Sequence, residues 1–228
     1  MQKNIGILMY DMVQPMDFIG PWEIFSTWKN ILNEPINLYL VSENGKKIIC
    51  DNDISVDVHC SFETAPLFDY LIVPGGRGRN KESYNQNMLN FIKKQVENCQ
   101  YILSVCTGMF LLYHAGLLKN KKVTTYWRAA PEIKNLKDVE FCGDRIVKSD
   151  KLWTAGGISS GIDLALELIS ELKGKEEAGK VQLLFEYFPL DKCFCNDKTK
   201  NTLPDYNSEI LTKETDLPEY IKQFIQAK

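Results

Sequence analysis

The chain has 228 residues, of which 44% are hydrophobic and 25% are charged, and its formal net charge is −3. This length and composition are typical of one globular domain with a short extension. The slightly acidic balance gives no electrostatic basis for nucleic-acid binding, and no apolar run is long enough to cross a membrane. The seven cysteines show no disulfide spacing, so we expect a reducing, cytoplasmic environment.

Predicted strands and helices alternate over the first half of the chain. The apolar runs Ile5–Met9 and Ile36–Val41 predict strands, and Pro21 predicts the start of a helix between them, because proline is favoured in a first helical turn. Alternating apolar and polar residues over 46–60 predict a hairpin. The next predicted elements are a strand at Tyr70–Val73, a helix at Asn87–Glu97, a strand at Tyr101–Val105 and a helix at Gly108–Ala115.

The second half predicts further β-structure over residues 138–155 and then two helices. Ser159 or Ser160 would cap the first of these helices, and Pro189 would end the second. Because strand–helix–strand units repeat along the chain, we expect an α/β fold with a mostly parallel sheet and helices on both of its faces. The result would be a three-layer sandwich.

The domain organisation follows from where this pattern ends. We expect one α/β domain over residues 1–190 and a C-terminal extension over residues 191–228, with a short helix at Pro218–Ala227. Cys193 and Cys195 in the extension form a Cys-x-Cys pair, but no second cluster of cysteine or histidine would complete a zinc site. No metal is therefore expected.

Cys106 is the leading candidate for chemistry. It follows the predicted strand Tyr101–Val105 directly and precedes Gly108, where a helical pattern begins. This strand–turn–helix arrangement is typical of a nucleophile elbow, and a helix N-terminus would favour the thiolate over the thiol. A buried cysteine without a chemical role would give the same local pattern, so both interpretations stay open at this point.

The positions of the two histidines disfavour a histidine base for Cys106. His114 lies eight residues further along the same predicted helix, which displaces it by roughly 12 Å along the axis. His59 lies on the polar face of the predicted hairpin, and a base must come within hydrogen-bond reach of its nucleophile. A carboxylate partner remains.

Asp17 is the best candidate for that carboxylate. It follows the first predicted strand, and its apolar neighbours would shift its pKa. Capping of the helix predicted at Pro21 would explain Asp17 equally well, and Glu23 is a competing acid.

Two glycine-rich segments add candidates for backbone contacts. Gly75 and Gly76 could bring N–H groups to a developing oxyanion or form a plain turn. The segment Gly156–Gly161 could bind an anion or allow close backbone packing.

Several separated segments together carry a family resemblance, in the same order over about residues 3–190. They are Asp17–Pro21, Ile72–Gly76, Ser104–Gly108, Ala115–Leu118, Thr124–Trp127, Ala155–Asp163, Val181–Gln182 and Glu186–Tyr187. On these segments the chain resembles the ThiJ/PfpI superfamily, and within it the isocyanide hydratase branch. The resemblance implies a flavodoxin-like, glutamine amidotransferase-like sandwich, a homodimer, and no metal or organic cofactor.

The resemblance also implies site residues, position by position. Cys106 matches the elbow nucleophile, and Asp17 matches the acid that hydrogen-bonds it. Thr107 matches the residue after the nucleophile, whose N–H and hydroxyl belong to the site, and Gly76 beside Gly75 matches the backbone oxyanion donor. Because the protease-like members have a histidine at the position of Thr107, peptidase chemistry of that type is disfavoured.

Two departures from the branch concern the substrate pocket. Tyr126, next to Trp127, stands where the closest hydratases have a histidine. The segment Pro189–Cys195 replaces a proline-rich one. Both departures could change the shape of the pocket that receives the substrate.

The implied reaction is the hydration of an isocyanide, a small neutral electrophile, to an N-substituted formamide. Cys106 would form a thioimidate and Asp17 would move protons.

A glyoxalase-like enzyme for 2-oxoaldehydes is the enzymatic alternative, and a sensing domain with an oxidisable Cys106 is the non-enzymatic one. The superfamily also includes sensory domains of helix-turn-helix regulators, but the extension has no paired helical pattern, which argues against DNA binding.

Overall fold

The fold consists of strands and helices that alternate along most of the chain. The computed structural model describes residues 2–189, 195, 199, 203 and 217–226. Within them the strands are Lys3–Leu8 (β1), Ile36–Ser42 (β2), Ile48–Ile49 (β3), Ser55–Val56 (β4), Cys60–Ser61 (β5), Tyr70–Val73 (β6), Tyr101–Val105 (β7), Lys121–Val123 (β8), Val139–Phe141 (β9), Ile146–Ser149 (β10) and Leu152–Ala155 (β11). The helices are Pro15–Asn30 (α1), Arg79–Glu82 (α2), Gln86–Asn98 (α3), Gly108–His114 (α4), Ala130–Ile133 (α5), Ser160–Lys173 (α6), Lys175–Leu184 (α7) and Glu219–Gln226 (α8), with a 3-10 turn at Trp127–Ala129.

A seven-stranded sheet with the order β10-β11-β7-β6-β1-β2-β5 forms the centre of the described region. Its pairs are parallel except for that between β10 and β11, so the predicted mostly parallel α/β fold is confirmed. Residues of β6 and β11 are buried throughout, as expected for strands covered on both faces. Helices α1, α6 and α7 pack together on one side, and α2, α3 and α4 pack together on the other.

Parallel strands end at the same edge of the sheet, and this edge positions the candidate site. The loop after β1 leads to α1, β6 leads to Pro74-Gly75-Gly76, and β7 leads to Cys106. Ligands of such sheets bind beyond the carboxyl ends of the strands. The large buried side chains of the core include Trp28, Phe110 and Trp153.

The start of α1 is where the sequence expectation was wrong. The helix begins at Pro15, six residues before Pro21, and Gln14 is its N-cap. Pro15 satisfies the same first-turn preference, whereas Pro21 lies inside the helix and cannot donate a hydrogen bond to the carbonyl of Asp17. Asp17 therefore lies in the first turn of α1 and does not cap a helix that begins at Pro21.

Most other expected elements are present with shifted ends. The strands β6 and β7 match their expected bounds, and β3 and β4 form the expected hairpin. The helix α6 is present with Ser159 at its N-cap position, as expected, but the Ser159 side chain makes no capping hydrogen bond. The Ser160 hydroxyl donates to the Gly156 carbonyl.

The extension is described only in part. Its expected helix is present as α8, whereas Cys193 lies outside the described residues. The boundary expected at residue 190 therefore stays a prediction. Among the helices of the described ranges, none has the length and hydropathy required to span a membrane.

Candidate active site

Cys106 lies at a sharp turn between β7 and α4. Its φ is +58°, in the left-handed region that non-glycine residues rarely occupy. Its N–H donates to the Gly156 carbonyl at 2.9 Å, and its carbonyl accepts from the Thr125 hydroxyl at 2.7 Å. Gly108 allows the tight turn, because a Cβ there would lie 2.0 Å from the Val73 carbonyl oxygen. Fixed contacts of this kind hold a strained nucleophile in position.

The thiol faces a cavity of about 260 Å³ at this edge of the sheet. The Cys106 residue is only 6% exposed, so the sulfur lies at the buried end of the cavity. The residues that line the cavity are Gln14, Asp51, Gly76, Arg77, Arg79, Asn80, Cys106, Thr107, Tyr126, Arg128 and Ile158.

Asp17 is fully buried next to Cys106. Its Oδ2 accepts a hydrogen bond from the Gly75 N–H at 2.9 Å. Burial raises the pKa of Asp17 to about 8, although hydrogen bonds with the Gly75 N–H and the Cys106 side chain oppose that shift. Asp17 is therefore a neutral acid at pH 7. Glu23, the competing acid, is exposed on the same helix.

Burial also controls the state of the Cys106 thiol. It raises the pKa of Cys106 well above the usual range, and the negative charge of Asp17 raises it further. The N–H groups of Thr107 and Ile158 hydrogen-bond the sulfur and lower this pKa. The N–H groups thus favour the thiolate, as expected at a helix N-terminus, but desolvation outweighs them and the pKa of Cys106 stays raised. Both members of the pair hold protons at neutral pH.

The two glycines after β6 bring the backbone close to this pair. A Cβ on Gly75 would lie 2.5 Å from the Thr107 N and Oγ1 atoms, so only glycine fits there. Gly76 has a φ of +137°, and its N–H donates to Thr107 Oγ1 at 3.1 Å. Because the Gly76 N–H already has this partner, it could stabilise an oxyanion only after leaving Thr107. The N–H groups that already face the sulfur belong to Thr107 and Ile158.

Ile158 is a site residue that the sequence did not reveal. It has a φ of +45°, which is strained for a β-branched residue, and it lies at the entrance to α6. The neighbouring glycines are needed for packing, since a Cβ on Gly157 would lie 2.3 Å from the Tyr126 ring. The glycines around Ile158 were the only trace of this role in the sequence.

Tyr126 lines the cavity, and Trp127 does not. Burial raises the pKa of Tyr126, the charge and hydrogen bond of Arg128 lower it, and the charge of Cys106 raises it. Tyr126 therefore lies beside the nucleophile, in the pocket position that the family resemblance implied for it. Trp127 packs edge-on against Tyr126, with 6.2 Å between ring centroids.

Neither histidine takes part in the site. His59 stacks on Trp22, and its Nδ1 accepts from the Leu40 N–H at 2.9 Å. His114 lies between the rings of Tyr84 and Tyr113. Neither one lines the cavity, so Cys106 has an acid and not a histidine as its side-chain partner.

The C-terminal helix α8 reaches the back of the elbow. A Cβ on Gly156 would lie 3.0 Å from the Tyr220 hydroxyl oxygen, and Gly156 is the residue whose carbonyl holds the Cys106 N–H. Burial raises the pKa of Tyr220, the charge of Arg145 lowers it, and that of Cys106 raises it. The extension thus contributes a side chain close to the nucleophile.

Comparisons with known proteins show what this chain is similar to. Isonitrile hydratase of Pseudomonas putida is 34% identical over 189 residues, which cover 83% of this chain and 80% of that protein. A glutathione-independent glyoxalase of Caenorhabditis elegans is 25% identical over 50% of this chain and 60% of its own. The transcriptional regulator GbdR of Pseudomonas aeruginosa, of the helix-turn-helix type, is 23% identical over 81% of this chain, which spans about half of that protein.

Solved structures and family profiles complete the comparison. A ThiJ/PfpI family protein from Pseudomonas syringae superposes with a TM-score of 0.77 at 24% identity, over 100% of this chain and 86% of that one. This likeness supports the flavodoxin-like fold. The profile of the DJ-1/PfpI family matches residues 3–171, which include the β1–α1 loop, the elbow and the entrance to α6. The chain belongs to the DJ-1/PfpI family.

Proposed function

We propose that this protein hydrates a small isocyanide to the corresponding N-substituted formamide, with Cys106 as the nucleophile. The observation that carries the proposal is the pairing of the buried Cys106 thiol with a buried carboxyl group, Asp17, which keeps its proton at neutral pH. The similarity to isonitrile hydratase supports it.

The first half of the reaction uses both groups. An isocyanide carbon must gain a nucleophile and a proton. Cys106 Sγ forms a bond to that carbon while Asp17 delivers a proton to the same carbon and accepts the thiol proton. The product is a thioimidate, R–N=CH–S–Cys106, and Asp17 ends in its original neutral state. Burial suits this step because no net charge is created in the site.

The second half consumes one water molecule. Water adds to the thioimidate carbon, and Asp17 transfers a proton from the water to the nitrogen. The S–C bond then breaks, the sulfur regains a proton through Asp17, and R–NH–CHO leaves. The N–H groups of Thr107 and Ile158 stabilise negative charge on sulfur as it departs. Over both halves, the isocyanide and water are converted to the formamide without a metal or an organic cofactor.

Turnover by three proteins side by side tests this function. The wild type should convert alkyl and aryl isocyanides to formamides, detected by mass spectrometry. Cys106→Ala should lose turnover entirely, and Asp17→Ala should lose at least a hundredfold in kcat, as expected when a proton-transfer group is removed. No formamide from the wild type with any of several isocyanides would overturn the proposal.

A glyoxalase-like activity on 2-oxoaldehydes is the second candidate, supported by the similarity to the nematode glyoxalase. That reaction requires a base to move a proton between neighbouring carbons after Cys106 has added to the aldehyde. Asp17 with a pKa of about 8 is mostly protonated at pH 7, and neither histidine lines the cavity, so hydration fits the site better. Parallel measurements of methylglyoxal and isocyanide consumption separate the two.

A sensing role without catalysis ranks below both. Oxidation to a sulfinic acid begins from the thiolate, and burial raises the pKa of Cys106. Peroxide treatment followed by intact-mass analysis would test it, and rapid selective oxidation of Cys106 would favour it over hydration.

We also propose that the protein is a cytoplasmic homodimer that acts on a small molecule and does not itself bind nucleic acid.

A further inference from the structure

Tyr10 is a buried tyrosine near the reactive pair that the reaction described above does not use. It follows β1 and is only 3% exposed. Its hydroxyl donates a hydrogen bond to the Pro74 carbonyl at 2.8 Å. The ring is packed against the backbone of the next loop, since a Cβ on Gly78 would lie 3.0 Å from its Cδ2 atom. Tyr10 does not line the cavity at Cys106, so any role it has in the site is indirect.

The surroundings of Tyr10 keep its hydroxyl group protonated. Burial raises the pKa of Tyr10 well above its usual range. The charges of Asp17, Cys106 and Glu82 raise this pKa further, and the charge of Arg79 lowers it. The hydroxyl is therefore a hydrogen-bond donor at every pH at which the protein is expected to work.

The peptide unit between Pro74 and Gly75 connects this hydroxyl to Asp17. The carbonyl and the N–H of a peptide unit point to opposite sides of one rigid plane. On one side the Pro74 carbonyl accepts from Tyr10, and on the other side the Gly75 N–H donates to Asp17 Oδ2 at 2.9 Å. Hydrogen bonds in such a chain polarise and strengthen one another, by roughly 10–30% per bond. Tyr10 thus acts on the same peptide unit that binds the carboxyl group.

The following peptide unit, between Gly75 and Gly76, is also held from both sides. The Gly75 carbonyl accepts from the Gln14 N–H at 2.8 Å, and the Gly76 N–H donates to Thr107 Oγ1 at 3.1 Å. These bonds fix the peptide after Gly75, whereas Tyr10 holds the peptide before it. The orientation of the Gly75 N–H therefore depends on the Tyr10 hydroxyl.

We propose that Tyr10 is a positioning residue of this site, which holds the Gly75 N–H on Asp17 through the Pro74–Gly75 peptide and thereby holds Asp17 next to Cys106. Its effect on turnover rests on the proposed function, whereas its effect on Asp17 does not. Without the hydroxyl, the Gly75 N–H becomes a weaker and less well aligned donor. Because this N–H opposes the rise in the pKa of Asp17, its weakening should raise that pKa above the value of about 8.

Tyr10→Phe tests the proposal, because it keeps the ring and removes the hydroxyl. The carboxyl resonance of Asp17 can be followed by ¹³C NMR against pH and assigned by its loss in Asp17→Asn. We expect its midpoint to rise by about half a pH unit in Tyr10→Phe. A variant that merely loosened the site would admit water to Asp17, and the midpoint would then fall towards 3.8.

The kinetic expectation is a loss in kcat with little change in KM. Isocyanide turnover by Tyr10→Phe at pH 7 should show a kcat about tenfold lower, because a misplaced proton-transfer group slows the chemical step. KM should stay within about twofold, since Tyr10 does not line the cavity.

Tyr70→Phe is the matched control. Tyr70 is 4% exposed, begins β6 at the end of the strand opposite to Pro74, and its hydroxyl donates to Gln100 Oε1 at 3.2 Å. Its removal deletes a similarly buried tyrosine hydroxyl away from the site. Tyr70→Phe should keep both the midpoint of Asp17 and the kcat of the wild type.

The outcomes separate this proposal from the hydratase. An unchanged or lower midpoint in Tyr10→Phe, or a kcat within twofold of the wild type, would overturn the role of Tyr10. So would a Gly75 amide proton that does not follow the titration of Asp17 in the wild type, a measurement that needs no variant. If no isocyanide is converted but the midpoint rises, the hydratase proposal fails and the role of Tyr10 towards Asp17 stands. If isocyanides are converted and Tyr10→Phe changes neither value, the hydratase stands and the role of Tyr10 falls.

Discussion

At the scale of residues, the site is a pair of acids that share a buried space. Burial raises the pKa of both Asp17 and Cys106, and the charge of Asp17 raises the pKa of Cys106 further, whereas the hydrogen bond with Cys106 lowers that of Asp17. The free protein therefore holds a thiol next to a carboxylic acid. This arrangement suits a reaction in which one proton must reach the substrate as the sulfur attacks it.

The buried acid should make stability depend on pH. The pKa of Asp17 is about 8 in the folded protein against 3.8 in its ordinary state, so between these values the folded protein binds a proton that the unfolded chain has lost. Stability due to Asp17 is therefore fully present below pH 3.8 and is lost as the pH rises through 8. Asp17→Asn removes this dependence.

We expect the free energy of unfolding of Asp17→Asn, relative to the wild type, to rise by about 3.5 kcal/mol between pH 5 and pH 8. Urea unfolding at four pH values measures it. Glu23→Gln, which changes an exposed acid on the same helix, should follow the wild type at each pH. Parallel curves for Asp17→Asn and the wild type would show that Asp17 is ionised in the folded protein.

At the scale of elements, the sequence predicted those strands and helices whose bounds are determined by local residue patterns. The strands β6 and β7 match their expected bounds because each is a short apolar run between turn residues. The start of α1 was missed because Pro15 and Pro21 both fit a first turn, and no local rule chooses between them. The choice depends on tertiary packing, which also determines that the first-turn residue Asp17 faces Cys106.

Only the site residues that belong to the family's sequence motifs could be predicted from the sequence. Cys106, Asp17 and Thr107 were identified from motifs, and the structure brings them together. Ile158 and Tyr10 were not, because their roles arise from a strained turn and from a hydrogen bond between separate segments. Contacts between distant parts of a chain leave no periodic signal in it.

The helix α8 carries a prediction of its own. Tyr220 packs on Gly156, and Gly156 accepts the hydrogen bond from the Cys106 N–H that holds the elbow. Tyr220→Ala should therefore loosen the elbow. We expect isocyanide turnover to fall about tenfold and alkylation of Cys106 by iodoacetamide to accelerate, because the strained turn at Cys106 then opens more often.

Two variants show whether this effect belongs to Tyr220. Tyr220→Phe keeps the ring and should stay within threefold of the wild type. Phe224→Ala removes an aromatic residue from the exposed side of the same helix and should have no effect. A Tyr220→Ala protein with wild-type turnover and alkylation rate would mean that α8 does not support the site.

At the scale of the whole molecule, the fold gathers the site from segments far apart in the chain. The first turn of α1, which follows β1, supplies Asp17, and the segments after β6 and β7 supply the two glycines and Cys106. The entrance to α6 after β11 supplies Ile158. All four strands are parallel neighbours in one sheet, so their carboxyl ends meet at one edge. The crevice expected from the alternating pattern is therefore the place where the reactive groups converge.

The same molecule leaves an apolar patch at the end of α7. Leu183, Leu184 and Phe188 are 65%, 44% and 55% exposed within six residues of the chain. Contiguous exposed apolar residues of this kind are typical of interaction surfaces. We expect this patch to form part of the interface of the homodimer that the family resemblance implies.

Light scattering coupled to size-exclusion chromatography tests this last expectation. The wild type should elute with twice the mass of one chain, and Leu183→Glu should shift the equilibrium to the single chain at micromolar concentration, because a buried unpaired charge at an interface is strongly unfavourable. Ile49→Glu, at a residue 51% exposed in β3, should remain dimeric. A wild type of single-chain mass would contradict the dimer, and a dimeric Leu183→Glu would place the interface elsewhere on the surface.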